Sequence, residues 1–212
     1  MVELKITSLA KYYGQHEVFS GLNFQVTSSV IGVAGTNGSG KSTLLKCISG
    51  LLKPTGGDVV WRVDQHQINK NELRKKTGFV APYVQLYEEL SVRENLRFIL
   101  DLRVSDFKNG IDELLGELDA GHFSDSAFGE LSTGQQQRVK LAAALIHKPR
   151  ILILDEPGSN LDEKGKQAVK TVVDRHREPS FMVILASNQK QELDLCDSVL
   201  DLSNKKSFHQ NS

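Results

Sequence analysis

The residues with the clearest chemical capacity are Gly35-Thr36-Asn37-Gly38-Ser39-Gly40-Lys41-Ser42-Thr43. Gly35, four residues and then Gly40-Lys41-Ser42 is the spacing of a phosphate-binding loop. Gly35, Gly38 and Gly40 let the backbone aim several N–H groups at one polyphosphate. Lys41 has the reach and point charge for the terminal phosphates, and the Ser42 hydroxyl suits Mg²⁺. A second cluster is Asp155-Glu156 at the end of an apolar run, Ile151 to Leu154. Acids at a strand end also serve as solubilising or turn residues. Beside a phosphate loop they read as a metal-side carboxylate, Asp155, and a group that activates or positions water, Glu156.

Both clusters need elements to hold them. Val30 to Ala34 is apolar and β-prone, and Thr43 to Ile48 reads as a helix, so the loop joins a buried strand to a helix N-terminus. Val2 to Leu9 and Leu22 to Val26 alternate as half-exposed strands, with Lys11 to Gly14 as a turn between them. Asp58 to Val63 and Gly78 to Ala81 are further strands, and Asn71 to Lys76 is a solvated face. Ser91 caps a helix with Glu94 as its reciprocal partner, and Ile111 to Leu118 forms another. Helices over Thr133 to Ile146, Asp162 to His176 and Gln189 to Leu195 alternate with strands over Ile151 to Leu154, Phe181 to Ala186 and Ser198 to Leu202. That alternation implies a parallel sheet, with both functional clusters at its carboxyl edge.

The 26 basic residues equal the 26 acidic ones, so no broad basic surface calls for nucleic acid. No run approaches the ~18 apolar residues of a membrane helix, and MVELKITSLAKYYG lacks a signal-peptide pattern. A soluble cytoplasmic protein is expected. Cys47 and Cys196 fit no ligand spacing and read as small packed residues. The six histidines show no metal-ligand spacing either, so no structural metal is expected. The polar tail SNKKSFHQNS is expected to be loosely ordered.

Leu131-Ser132-Thr133-Gly134-Gln135 alone is an ordinary capped helix start. In company it is similar to the LSGGQ signature of the ATP-binding subunits of ABC transporters, with Thr133 in place of a glycine. ILILDEP resembles that family's Walker B strand, and Ser159-Asn160-Leu161-Asp162 its D-loop. The stretch from Leu86 to Leu96, LYEELSVRENL, looks like the family's entry to its helical lobe. The resemblance covers essentially the whole chain. Tyr13 matches the aromatic residue that stacks on adenine, although loop tyrosines also cover hydrophobic edges.

The resemblance implies an α/β P-loop NTPase with a RecA-like parallel sheet core, a small antiparallel β subdomain and an inserted α-helical subdomain. Residues 1–84 and 145–212 would form the core lobe and 85–144 the helical signature lobe. It implies an ATPase that binds MgATP through residues 35–43 and Tyr13, with Ser42 and Asp155 on the metal and Lys41 and Glu156 in catalysis. Ser132, Thr133, Gly134 and Gln135 would contact ATP held by a partner chain in a head-to-tail dimer. Ser132 and the N–H groups of Gly134 and Gln135 can donate to phosphate from that helix start. With one copy of each motif, the chain would need a second ATPase chain, itself or another. The resemblance also implies an integral membrane permease subunit, and a place on the inner face of the membrane. A second reading of the same motifs is a soluble ABC ATPase working as an ATP-gated assembly or interaction switch.

Two positions depart from the family pattern. Pro82 stands where the Q-loop glutamine belongs, and the nearest glutamine is Gln85, which reads equally as a shifted ligand and as a solvated loop residue. Asn188 stands where the family has a histidine that contacts the γ-phosphate. An amide donates a hydrogen bond but cannot become cationic. Slow hydrolysis with intact ATP binding is therefore expected.

Overall fold

The computed structural model describes residues 1–27, 30–103, 110–159, 161–203 and 207–210, the last four by backbone alone. Asn160 of the SNLD stretch and residues 204–206 and 211–212 of the tail lie outside the described residues. In order, the chain forms β1 (Val2–Tyr13), β2 (His16–Thr27), β3 (Val30–Ala34), α1 (Lys41–Ile48), β4 (Gly56–Val63), β5 (His66–Gln67), α2 (Lys70–Lys76) and β6 (Thr77–Val80). There follow α3 (Val92–Leu102), α4 (Ile111–Glu117), two short 3-10 turns, α5 (Thr133–Leu145), β7 (Ile151–Asp155), α6 (Glu163–Arg175), β8 (Met182–Ser187), α7 (Lys190–Leu193), β9 (Ser198–Asp201) and β10 (Ser207–Gln210).

Two sheets result: an antiparallel one ordered β2-β1-β4-β5 and a six-stranded one ordered β10-β9-β3-β8-β7-β6. In the second sheet every pairing is parallel except β10 with β9. Its central strands read as unbroken apolar runs because both faces are covered. Leu152, Leu154, Val183 and Leu185 face a core shared with Leu96, Leu115 and Val139 of the helices. Ile151, Ile153, Met182 and Ile184 face the opposite core, shared with Leu44 and Leu45 of α1 and Leu4 and Trp61 of the antiparallel sheet. Both cysteines are buried within these cores, Cys196 Sγ donating to Glu192 O at 3.8 Å.

Two local expectations are corrected and a third, the solvated face, is refined. Lys11 to Tyr13 continue β1 instead of turning, because Tyr13 pairs with His16 and only Gly14 and Gln15 are left to make the hairpin. Gly14 takes φ 59°, as a two-residue hairpin requires. Asn71 to Lys76 lie within helix α2, which Asn69 and Glu72 close with reciprocal capping bonds while Leu73 points inward. In the tail, residues 207–210 pair with β9 and so satisfy the backbone groups of that strand edge.

Candidate nucleotide site

Strand register brings the chemistry together. Ala34 pairs with Ser187, and Asp155 pairs with Ala186. The phosphate loop, the Asp155-Glu156 pair and Asn188 thus leave three adjacent strands at one carboxyl edge, where parallel sheets bind ligands.

Residues 35–43 wrap that edge. Gly40 precedes α1 at φ 99°, and a Cβ there would lie 2.5 Å from Val18 Cγ1. Gly35 is equally constrained, since a Cβ would lie 2.3 Å from Ser39 Oγ. Thr36, Asn37 and Gly38 are exposed around the turn, and Ser39 N–H donates to the Thr36 carbonyl at 3.1 Å. Lys41 is 6% exposed and folds its Nζ back to the Gly35 and Thr36 carbonyls, 2.8 and 3.2 Å away. The same ammonium lies 3.8 Å from Glu156 Oε1. The half-buried Ser42 and Thr43 occupy the first turn of α1.

Asp155 is almost fully buried, and neither carboxylate oxygen has a hydrogen bond of standard geometry. Burial raises its pKa, and the Glu156 charge adds to that; the neighbouring Ser42 hydroxyl, with Lys41 and Lys46, opposes. An acceptor-only group this deep and this poorly paired, beside a serine hydroxyl, fits the oxygen donor set of a hard divalent cation. Glu156 is half-buried at φ 50°, held there by its N–H donating to Ala186 O at 2.8 Å. Asn188, exposed at the end of β8, reaches the loop itself: its Nδ2 donates to Asn37 Oδ1 at 3.2 Å.

Other expected residues lie apart from this cluster. Tyr13, at the tip of the antiparallel sheet, is 54% exposed with Lys11 Nζ 5.0 Å from its ring centroid. Gln85 is exposed. Tyr83, which sequence reasoning passed over, lies nearer: Lys46 Nζ of α1 stands 3.8 Å over its ring, a cation–π contact. Tyr83 is 41% exposed, and partial burial, with next the Asp155 charge, raises its phenol pKa.

The signature residues line a separate concavity of about 530 Å³ that includes Arg138 and Asp162 but none of residues 35–43. Ser132 accepts from Gln135 N–H at 3.4 Å, and the Gln135 side chain accepts from Ser132 N–H at 2.9 Å. The Gln135 amide is therefore spent on the cap, which leaves Thr133 and Gly134 with the outward first-turn N–H groups. Gln137 and Arg138 tie α5 back to the segment after β7, by a 3.1 Å bond to Pro157 O and a 2.7 Å bond to Asp162.

The sequence profile of the family described as "ABC transporter" matches residues 19–159, well over half of the chain. The chain belongs to the ABC transporter family. Among curated ABC proteins it is 32% identical over 193 residues to the bacitracin transport ATP-binding protein BcrA of Bacillus licheniformis, covering 90% of this chain and 63% of that protein. It is 32% identical over 211 residues to the probable sulfate/thiosulfate import ATP-binding protein CysA of Chlorella vulgaris, covering 97% and 89%. The fold matches that of a dimeric bacterial ABC transporter cassette with a TM-score of 0.85 at 24% identity, over 98% of both chains. A cassette in a post-hydrolysis state with ADP and Pi matches at 0.83, again at 24% identity and over 98% of both chains. The parallel core, antiparallel sheet and helical insert are thus those of an ABC cassette, the P-loop NTPase fold expected from the sequence.

Proposed function

We propose that this chain is the ATP-binding subunit of an ABC transporter, binding and hydrolysing MgATP between two cassettes to drive a separate membrane subunit. The observation that carries this reading is the separation of two half-sites. Residues 35–43 and the acids lie at the sheet edge, while Ser132 to Gln135 line a different concavity. A signature helix that lines a concavity apart from its own phosphate loop is placed to serve the loop of a second cassette, and head-to-tail pairing completes both sites.

In this reading residues 35–43 cradle the polyphosphate, Lys41 exchanges its contacts with Gly35 and Thr36 for phosphate oxygens, and Tyr13 offers its exposed ring to the adenine. Ser42 and Asp155 would hold Mg²⁺, which when bound would supply positive charge against the phosphate oxygens. Glu156 orients and deprotonates the attacking water, and Asn188 donates one hydrogen bond where charge develops. Ser132 with the Thr133 and Gly134 amides, and Gln135 as their cap, closes the nucleotide of the partner. Residues 85–144 are the signature lobe, and residues 1–84 with 145–212 the core.

Among the described residues no helix is long and apolar enough to cross a membrane. In the family reading the cargo pathway belongs to a permease partner, which holds the cassette at the inner membrane face. The two relatives above are named for different cargoes at equal identity, which agrees with cargo being chosen outside this chain. Steady-state Mg-ATPase of the wild type beside Glu156→Gln tests the proposal. Hydrolysis should be lost in the variant while ATP still binds; a variant that hydrolyses at the wild-type rate would overturn it.

A further inference from the structure

Glu192, on the short helix α7, is a carboxylate that the site above does not use. It is buried, and its Oε1 accepts from Gly158 N–H at 2.8 Å. The approach is close enough that a Cβ on Gly158 would sit 2.1 Å from that oxygen. Oε2 is buried without a hydrogen bond of standard geometry, although the adjacent Ser187 hydroxyl favours the charged carboxylate. Burial outweighs that help and raises the Glu192 pKa.

The two ends of this contact belong to two parts of the catalytic edge. Gly158 lies two residues beyond Glu156, in a turn closed by Ser159 N–H donating to Glu156 O at 3.2 Å. On the other side, fully buried Ser187 accepts from Gln189 N–H at 3.0 Å, bracketing Asn188, and Glu192 N–H returns to Gln189 O at 3.2 Å. The Glu192 side chain is thus a rigid strut from the Asn188 turn to the Glu156 turn.

We propose that Glu192 is a positioning residue that couples the backbone placement of Glu156 to that of Asn188. It touches neither nucleotide nor metal, and acts through Gly158 on one side and the turn over residues 187–189 on the other. The kinetic consequence rests on the ATPase reading; the mechanical one does not.

The test measures amide hydrogen exchange and nucleotide kinetics on Gly158→Ala, Glu192→Ala and Glu192→Gln, the last keeping an acceptor oxygen for the Gly158 amide. Gly158→Ala displaces the carboxyl without altering α7. It should raise exchange at residues 187–189 about tenfold while β1 is unchanged, as local opening of one coupled unit does. Glu192→Ala should raise exchange at both turns, and Glu192→Gln should stay within about threefold of the wild type. Turnover at saturating MgATP should fall about tenfold in the two alanine variants with KM within about threefold, and no further in the double variant. Exchange in Gly158→Ala that rises only around residue 158 would overturn the coupling whatever the ATPase does. Additive losses, or a fall in affinity matching the fall in turnover, would reduce Glu192 to a structural contact.

Discussion

Asn188 donates its side-chain amide to Asn37 Oδ1 across 3.2 Å, so the end of β8 touches the phosphate loop directly. An amide in this place supplies one neutral donor and no proton exchange. Asn188→His should therefore raise turnover at saturating MgATP by up to about a hundredfold, the scale of one transition-state donor. KM should stay within about threefold if, as proposed, Lys41 and the loop amides carry ground-state binding. Steady-state kinetics of the two proteins decides this, and equal turnover would show that Asn188 is not what limits the rate.

Gln85 is exposed, whereas Tyr83 holds the ground beside α1 through its contact with Lys46. Gln85→Ala should leave both turnover and melting temperature near those of the wild type, with turnover changed less than about threefold. A tenfold loss would mean that Gln85 joins the metal or water when nucleotide binds.

The meeting of the phosphate loop and the acids at one carboxyl edge was legible in the sequence because its parts are local: a glycine-lysine-serine loop between strand and helix, and an apolar run ending in Asp155-Glu156. The capping box at Ser91 and the N-cap at Ser132 were legible for the same reason, each being a local pattern realised in the structure, where Gln135 adds the reciprocal bond to Ser132. What was not legible depends on partners distant in sequence. Nothing near Glu192 announces its bond to Gly158, 34 residues away. Nothing near Trp61 announces that its indole N–H donates to Ile48 O at 2.7 Å and satisfies the end of α1. The pairing of residues 207–210 with β9 depends on an available strand edge, which polar composition does not encode.

Arg138 spans the helical insert and the core, bonding Asp119 at 2.8 Å and Asp162 at 2.7 Å. Arg138 is 8% exposed, but both carboxylates are largely solvated, so removing the cation strands no buried charge. Arg138→Ala should then cost about 1–3 kcal/mol, the range for charge-assisted hydrogen bonds, instead of the larger penalty of an orphaned buried ion. Urea unfolding at neutral pH measures it, and a change below about 0.5 kcal/mol would show that the bridge is merely a surface ornament.

His147 bonds Thr77 O at 3.2 Å, and burial, reinforced by Arg103, lowers its pKa to about 4. The native state therefore keeps this imidazole neutral at pH values where the unfolded chain protonates it. Because the unfolded state then binds more protons, stability should fall as pH drops from about 6.5 towards 4, by at most about 1.4 kcal/mol per pH unit from this group. Urea midpoints measured across that window should slope less in His147→Gln; parallel slopes would contradict the assignment.

The central claim is that the signature of one chain completes the nucleotide site of another, and sedimentation of Glu156→Gln in MgATP tests it most directly, beside the same chain carrying Ser132→Arg. Both should bind ATP through residues 35–43. The expected result is a nucleotide-bound dimer for Glu156→Gln and a nucleotide-bound monomer once Ser132→Arg is added. Dimers of equal strength in both, or an ATP-loaded monomer in both, would contradict the account.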